Sequence, residues 1–410
     1  MKSGLSFLLA SRRCEIVELE ALARTSDLVA AVANFTHAIQ RERGISNVFI
    51  GSQGRQFASE REQQIAACEL EEQALRGCFD ALDTDGAQMR NGARLFSRIA
   101  VVLHSLGALP RLRADVAALA LTPREATTGY SRLINGLLGV VFEAADSAND
   151  PQVSRALVAM FNYMQGKEFA GLERACGASL FASGQAEAAS QQHWRHLIDS
   201  QQACFQVFAD LAEAPVLNVE QASIDLRGMA ELERLRRVAL GAGTPARMDT
   251  SLSRVWYDCC TQRIDAMREV ERVLAEHLRQ LCERRIALAR EELRNQQAAL
   301  EALSAQAEAA TAEGLAPLGP HLERSILGLV QEQTRRLQSV SDQLEAVRAT
   351  LNERKVVERA KGLLMAHRQL SEAEAYKTLR QLAMNQNRRL ADVAESVLAM
   401  AEVLPAPRGR

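Results

Sequence analysis

SLSRVWYDCCTQRIDAMREVERVLAEHLRQLCERRIALAREELRNQQAALEALSAQAEAATA (251–312) decides the fold, because neither proline nor glycine occurs anywhere in residues 246–313. Proline breaks a helix and glycine weakens one, so nothing here interrupts a single continuous helix. At ~1.5 Å per residue, such a helix approaches roughly 100 Å. Its apolar residues recur at three- and four-residue intervals: Cys260, Ile264, Met267, Leu274, Leu278, Leu281 and Leu288. That spacing is the seam of a helix packed along its length in a bundle or coiled coil.

The rest of the chain reads the same way. The nine prolines stand at 110, 123, 151, 215, 245, 317, 320, 405 and 407, which leaves several other long segments free to be helical. Leu28, Val32, Phe35, Ile39, Ser46 and Phe49 trace one stripe, and Tyr130, Leu133, Ile134, Leu137, Leu138 and Val141 another. Aromatics are only 4% and the apolar content of 47% comes through Ala and Leu, which argues against sheets. The fold class is all-α, an elongated long-helix bundle over residues 25–310. Eight scattered cysteines without a CxxC give no metal or disulfide spacing and read as small buried hydrophobes. No uninterrupted apolar run approaches the ~20 residues of a membrane span, and the short run Leu5–Ala10 is soon followed by charges, so the cytoplasm is expected.

TAEGLAPLGP (311–320), with two glycines and two prolines, is the linker. Beyond it, 15 Lys+Arg face 11 Asp+Glu, a net of +4, which leaves −6 for residues 1–320. Leu337, Val340, Leu344, Val347 and Leu351 space a coiled coil over 321–355, a means of dimerisation. Three short helices then form a module at 356–404. Ser371 with Glu374 makes a capping box for the middle one, and Asn387 caps the last. Between Lys355 and Arg389 eight cations face three acids, a footprint suited to phosphate.

The order of residues narrows this further. VVERAKGLLMAHRQLSEAEAYKTLRQLAMNQNRRLADVAESVL (356–398) resembles the ANTAR family, the RNA-binding modules of transcription antiterminators, through Ala360-Lys361-Gly362, Leu364-Met365, Glu374-Ala375-Tyr376, Leu379-Arg380, Ala383-Met384 and Asp392-Val393-Ala394. On these positions Lys361, Arg380 and Arg388 offer charge to phosphate and Tyr376 offers a stacking surface to an unpaired base. Gly362 permits close approach, and Ala360, Met365 and Met384 either pack beside a base or belong to the three-helix core. The resemblance implies a homodimer gripping paired hairpin loops of a leader RNA, with no DNA and no membrane as partner.

Upstream, arginines stand where apolar stripes would continue. In HAIQRERGISNVFIGSQG (37–54) the stripe includes Arg43. An inward guanidinium needs an anionic partner, either a glutamate (Glu42, or one on another helix) or a small anion. In MQGKEFAGLERACGASLFASG (164–184), Arg174 is flanked by Ala170, Gly171, Gly177 and Ala178, small residues that leave room for one large side chain between helices. ELERLRRVAL (231–240) adds Arg234 and Arg236, which periodicity does not separate. Glu42-Arg43-Gly44, Tyr130 with Leu133-Ile134, Gly166-Lys167-Glu168 and Glu173-Arg174-Ala175 resemble the nitrate- and nitrite-sensing (NIT) family. Joined in this order, the two parts look like a nitrate-responsive antiterminator. That implies nitrate or nitrite as signal ligand, held by Arg43, Arg174 and Arg234 or Arg236. It also implies that these guanidinium groups stay without carboxylate partners until the anion sits among them.

Catalysis is not expected: GxSxG, HExxH, P-loop and dinucleotide fingerprints are absent, no cofactor is implied, and Cys259-Cys260 point to different helix faces. His193 and His196 at i, i+3 lack a third ligand, so no metal is expected. Two rival readings share the architecture: an anion sensor whose basic end binds a protein or DNA, and a structural coiled-coil protein.

Overall fold

The computed structural model describes residues 4–82, 92–241, 246–312, 319–368, 370 and 372–401. Its helices in chain order are α1 (Gly4–Gly51), α2 (Ala58–Asp80), α3 (Gly92–Ala117), α4 (Pro123–Ser147), α5 (Pro151–Ser183), α6 (Ala188–Leu211), α7 (Ala214–Ser223), α8 (Leu226–Gly241), α9 (Leu252–Ala312), α10 (Gly319–Arg368), α11 (Glu372–Gln386) and α12 (Leu390–Ala401). One antiparallel ladder of two residues per strand, β1 (Gln185–Ala186) against β2 (Ala246–Arg247), ties the ends of α5 and α8. The all-α class holds. The proline-free stretch is the 61-residue α9, roughly 90 Å long.

Local chemistry sets the helix ends that matter. Thr122 and Glu125 form a full capping box ahead of α4, with Pro123 in its first turn. Asp150 caps α5 by accepting from the amides of Gln152 and Val153 at 3.0 and 3.1 Å. Its other oxygen takes Arg285 of α9 at 2.6 Å, so the start of α5 is fixed in direction and in place. α5 is buried almost all round: Val153, Leu157, Val158, Met160, Met164 and Phe181 each lose nearly all exposure. It lies between α1, α6 and α9, whose stripes Leu28–Val32–Phe35–Ile39 and Ile264–Met267–Val270–Leu274 close over it. A second cluster gathers Phe181, Trp194, Trp256, Leu232 and Leu235. Gly177 is obligatory there, because a Cβ would meet the two indoles at 2.4 and 2.7 Å. α3 is long and apolar enough by composition to cross a membrane, which the sequence reading missed, and it packs Leu95, Ile99, Val102, Leu106 and Leu109 against α4.

The C-terminal third departs from expectation. The coiled coil and the first of three short helices are one 50-residue helix, α10. Only the lower part of the expected seam is covered: Leu344 and Leu351 are buried, whereas Leu337 is 55% exposed. Leu351 joins the core of the front bundle, so this chain's own helices cover apolar surface that a partner coil was expected to cover. Asn387 does not open α12. It adopts φ +49° and closes α11, its amide reaching Met384 O at 3.2 Å and that of Arg388 reaching Ala383 O at 3.0 Å. This is a left-handed C-terminal cap, a role asparagine fills next best after glycine. The Ser371 cap and residues 313–318 of the linker lie outside the described residues. Ala360, Leu364, Ala375, Leu379, Ala383, Val393 and Ala394 form the core shared by the end of α10 with α11 and α12.

Candidate functional site

Arg43 of α1 and Arg174 of α5 cross reciprocally. A Cβ on Gly171 would lie 2.7 Å from Arg43 Nη2, and one on Gly44 would lie 2.6 Å from Arg174 Nη2. Each guanidinium thus occupies the notch that the other helix's glycine leaves. The small residues flanking Arg174 do make room for a large side chain, and that side chain is Arg43.

The two arginines differ in partners. Arg43 is 1% exposed and donates from Nη1 and Nη2 to the carboxylate of Glu168 at 2.5 and 3.1 Å, with a further bond to Ser131 Oγ at 2.8 Å. Gln40 donates to the same carboxylate at 2.8 Å. Glu42, adjacent to Arg43, is turned away and held by Arg113 (2.9 and 2.8 Å) and by the Tyr130 hydroxyl (3.0 Å). Arg174 donates to Thr261 Oγ1 at 3.0 Å and lies over the Tyr257 ring at 4.9 Å. Among the described residues no carboxylate comes within ion-pair distance of it. The crossing therefore holds two guanidinium groups against one carboxylate.

The expectation of arginines without carboxylate partners thus fails for Arg43. It fails again for Arg236, which grips Glu173 through Nε and Nη2 at 2.7 and 2.6 Å and Glu233 at 2.6 Å. Burial pushes Glu173 toward the neutral form, but hydrogen bonds from Arg236, Gln201 and Trp194 outweigh it and hold the carboxyl below its usual range. Arg234 points to solvent and pairs with Glu231 on its own helix, so it does not join the others. Periodicity could not separate 234 from 236 because both border apolar residues; the partner on another helix separates them.

Next to Glu168 lies Lys167, fully enclosed, with its ammonium on Glu271 of α9 and 3.3 Å from Nδ1 of His37 on α1. Burial lowers the pKa of Lys167 against the pull of Glu271. Burial, helped by Lys167, pushes His37 down to about 2. Three helices thus meet at Lys167, through an ion pair to α9 and a hydrogen bond to a neutral histidine on α1. Lys167 and Glu168 stand in the sequence as family marks without a role, and no local pattern points to Gln40, Ser131, Tyr257 or Thr261.

In the C-terminal module the residues expected to face RNA divide into three groups. Ala360 is core. Lys361 is buried and bonded to Glu358 at 2.9 Å and Glu372 at 2.7 Å, so it is not a free phosphate donor. Met365 and Met384 are exposed, and Gly362 faces open space. Arg388 is exposed, 3.1 Å from Asp392 O. Tyr376 and Arg380 are turned against α6 of the front bundle: the Tyr376 ring lies 4.9 Å from that of His196, and Arg380 pairs with Asp199. Lys377 reaches Gln192 at 3.2 Å. Above them, Arg354 of α10 lies over the Phe161 ring at 4.7 Å and donates to Asn162 Oδ1 at 3.1 Å, both on α5. Lys355 reaches Asp146 at 2.7 Å. His196 therefore serves this contact. Among the described residues no three metal-ligating side chains converge.

Comparison with known proteins fits both halves. Residues 34–279 match the family described as nitrate and nitrite sensing, and residues 345–398 match the ANTAR domain. The chain is 34% identical over 393 residues to the nitrate regulatory protein of Klebsiella oxytoca, covering 95% of this chain and 93% of that one. It also resembles the solved structure of the NasR transcription antiterminator, with a TM-score of 0.59 and 32% identity over 96% of this chain and 98% of that one.

Proposed function

The chain belongs to the nitrate- and nitrite-sensing transcription antiterminators, and we propose that one nitrate or nitrite ion at the α1–α5 crossing decides whether its C-terminal module is free to bind leader RNA. The observation that carries the reading is the reciprocal arginine crossing, with one guanidinium more than it has carboxylates. Nitrate is planar, singly charged and weakly basic, so the flat N–H donors of arginine suit it better than a strongly hydrated ammonium. Arg43 and Arg174 hold the ion. Arg236 supports the site from behind through Glu173, and Arg234 has no part in it.

In the resting arrangement Tyr376 and Arg380 are spent on α6, and Arg354 fastens α10 to α5. RNA stacking on Tyr376 requires that surface, so docking and RNA binding compete. Nitrate changes the contacts of α5, the helix that carries both Arg174 and the docking partners Phe161 and Asn162. It drives release to the extent that it binds the released state better. Two released modules of a homodimer then grip paired hairpin loops and prevent the terminator from forming. The protein acts in the cytoplasm, catalyses no reaction and needs no cofactor.

Gel retention of leader RNA and of duplex DNA, each with and without nitrate, tests this. The expected result is retention of RNA alone, and only with nitrate. DNA retention, or RNA retention indifferent to nitrate in the unaltered chain, would overturn it.

A further inference from the structure

We propose that Glu168 is the crossing's own competing anion, so that nitrate binds by exchange: it takes Arg43 from this carboxylate. The inference rests on the reading that Arg43 and Arg174 hold the ligand, and it names what governs that site's affinity.

Three observations carry it. First, Glu168 presents to Arg43 what nitrate would present, two oxygens on a trigonal centre received by Nη1 and Nη2. A planar oxyanion cannot take the same two donors while the carboxylate keeps them. Second, the other buried glutamates nearby are committed elsewhere. Glu173 accepts from Arg236, Trp194 and Gln201, and Glu42 accepts from Arg113 and Tyr130. Among the described residues Glu168 is the one carboxylate that Arg43 holds, with Gln40 as its other donor, so it is the carboxylate that an anion taking Arg43 displaces. Third, a released charge has somewhere to turn. The Lys167 ammonium, on the preceding residue of α5, is fully enclosed beside the crossing, 3.3 Å from His37 Nδ1 of α1. Lys167 in turn holds Glu271 of α9. The exchange therefore leaves the buried charges balanced while it moves one ionic contact from α1 toward α9. Glu168 is a positioning residue that sets how much anion is needed, in contrast to Arg174, whose guanidinium has no carboxylate to give up.

The test is isothermal titration of the full chain with sodium nitrate in the unaltered protein, Glu168→Gln, Glu168→Asp and Arg174→Ala. With its competitor neutralised, Glu168→Gln should bind nitrate roughly tenfold tighter or more, because a buried cation left without its carboxylate strongly favours a new anion. Glu168→Asp, which keeps the charge with a shorter reach, should fall between. Equal or weaker binding by Glu168→Gln, with binding abolished in Arg174→Ala, overturns exchange and leaves the nitrate site standing. Absence of any nitrate response in the unaltered chain removes both. Should Glu168→Gln fail to fold, infrared difference spectra of the unaltered chain decide the matter. Nitrate should shift one carboxylate band there, and Gln40→Leu, which removes the other hold on Glu168, should bind nitrate severalfold tighter. An unshifted carboxylate region refutes the exchange.

Discussion

Asn162→Leu separates docking from both the ligand site and the RNA surface. Asn162 is buried on α5, five residues before Lys167, and its Oδ1 accepts from Arg354 at 3.1 Å. Leucine has the same heavy-atom count and branching, so the core of α5 stays filled, and among the described residues the other bond lost is the local one to Val158 O at 2.9 Å. A hydrogen bond between a charged and a neutral group contributes about 1.5–3 kcal/mol. Arg354 is half-buried and keeps its place over Phe161, which points to the lower half of that range. At about 1.4 kcal/mol per factor of ten, a loss of about 1.5–2 kcal/mol loosens docking by roughly 12- to 30-fold. Fluorescence anisotropy of a labelled leader hairpin, titrated with protein at fixed nitrate, reads this out. Without nitrate, Asn162→Leu should retain RNA at concentrations where the unaltered chain does not, and less nitrate should reach half-response. RNA affinity at saturating nitrate should be unchanged, because no residue of the module is altered. A variant that folds normally by circular dichroism yet needs as much nitrate as the unaltered chain would refute the claim that Arg354 fastens the module.

Gly171→Ala should lower both stability and ligand affinity: its methyl lands 2.7 Å from Arg43 Nη2, and disturbing that buried ion pair outweighs the up to about 1 kcal/mol by which alanine favours the helix. Chemical denaturation should show a lower midpoint while nitrate affinity falls; unchanged affinity in the folded variant would place the ligand elsewhere. Lys361→Ala should keep nitrate binding and lose RNA retention, since it leaves Glu358 and Glu372 without their shared cation between α10 and α11; retained RNA affinity would show that the module's RNA surface does not depend on this buried ion cluster. His37 gives a pH dependence. Its folded pKa of about 2 lies below its ordinary 6.5, so the unfolded chain takes up the proton first. Stability is full above about pH 6.5 and falls below it by up to about 1.4 kcal/mol per pH unit. Urea unfolding between pH 7.5 and 5.5 should show that slope, and His37→Asn should flatten it.

Much of this was readable in the sequence, and the failures have physical causes. The long helices were legible because proline and glycine are absent where α9 runs and because the stripes through Val32–Ile39 and Leu133–Val141 keep helical spacing. The inward arginines were legible as breaks in those stripes. Their partners were not: Glu168 lies 125 residues from Arg43, and local periodicity carries no signal for a contact between α1 and α5. For the same reason Arg234 and Arg236 looked alike until Glu173 told them apart. The coiled-coil seam at Leu337–Leu351 was real as a pattern, but a heptad stripe does not say whether its partner is another copy or the chain's own bundle. Lys361 was misread because a lysine among cations looks solvated, whereas two glutamates on neighbouring helical segments enclose it.

The most direct measurement of the central claim is the thermal shift of the full-length protein on adding nitrate, compared across the unaltered chain, Arg43→Ala, Arg174→Ala and Arg234→Ala. Stabilisation by nitrate in the unaltered chain and in Arg234→Ala, lost in the other two, is the predicted result. An equal shift in all four, or an equal shift with chloride, would contradict a nitrate site at the crossing of α1 and α5.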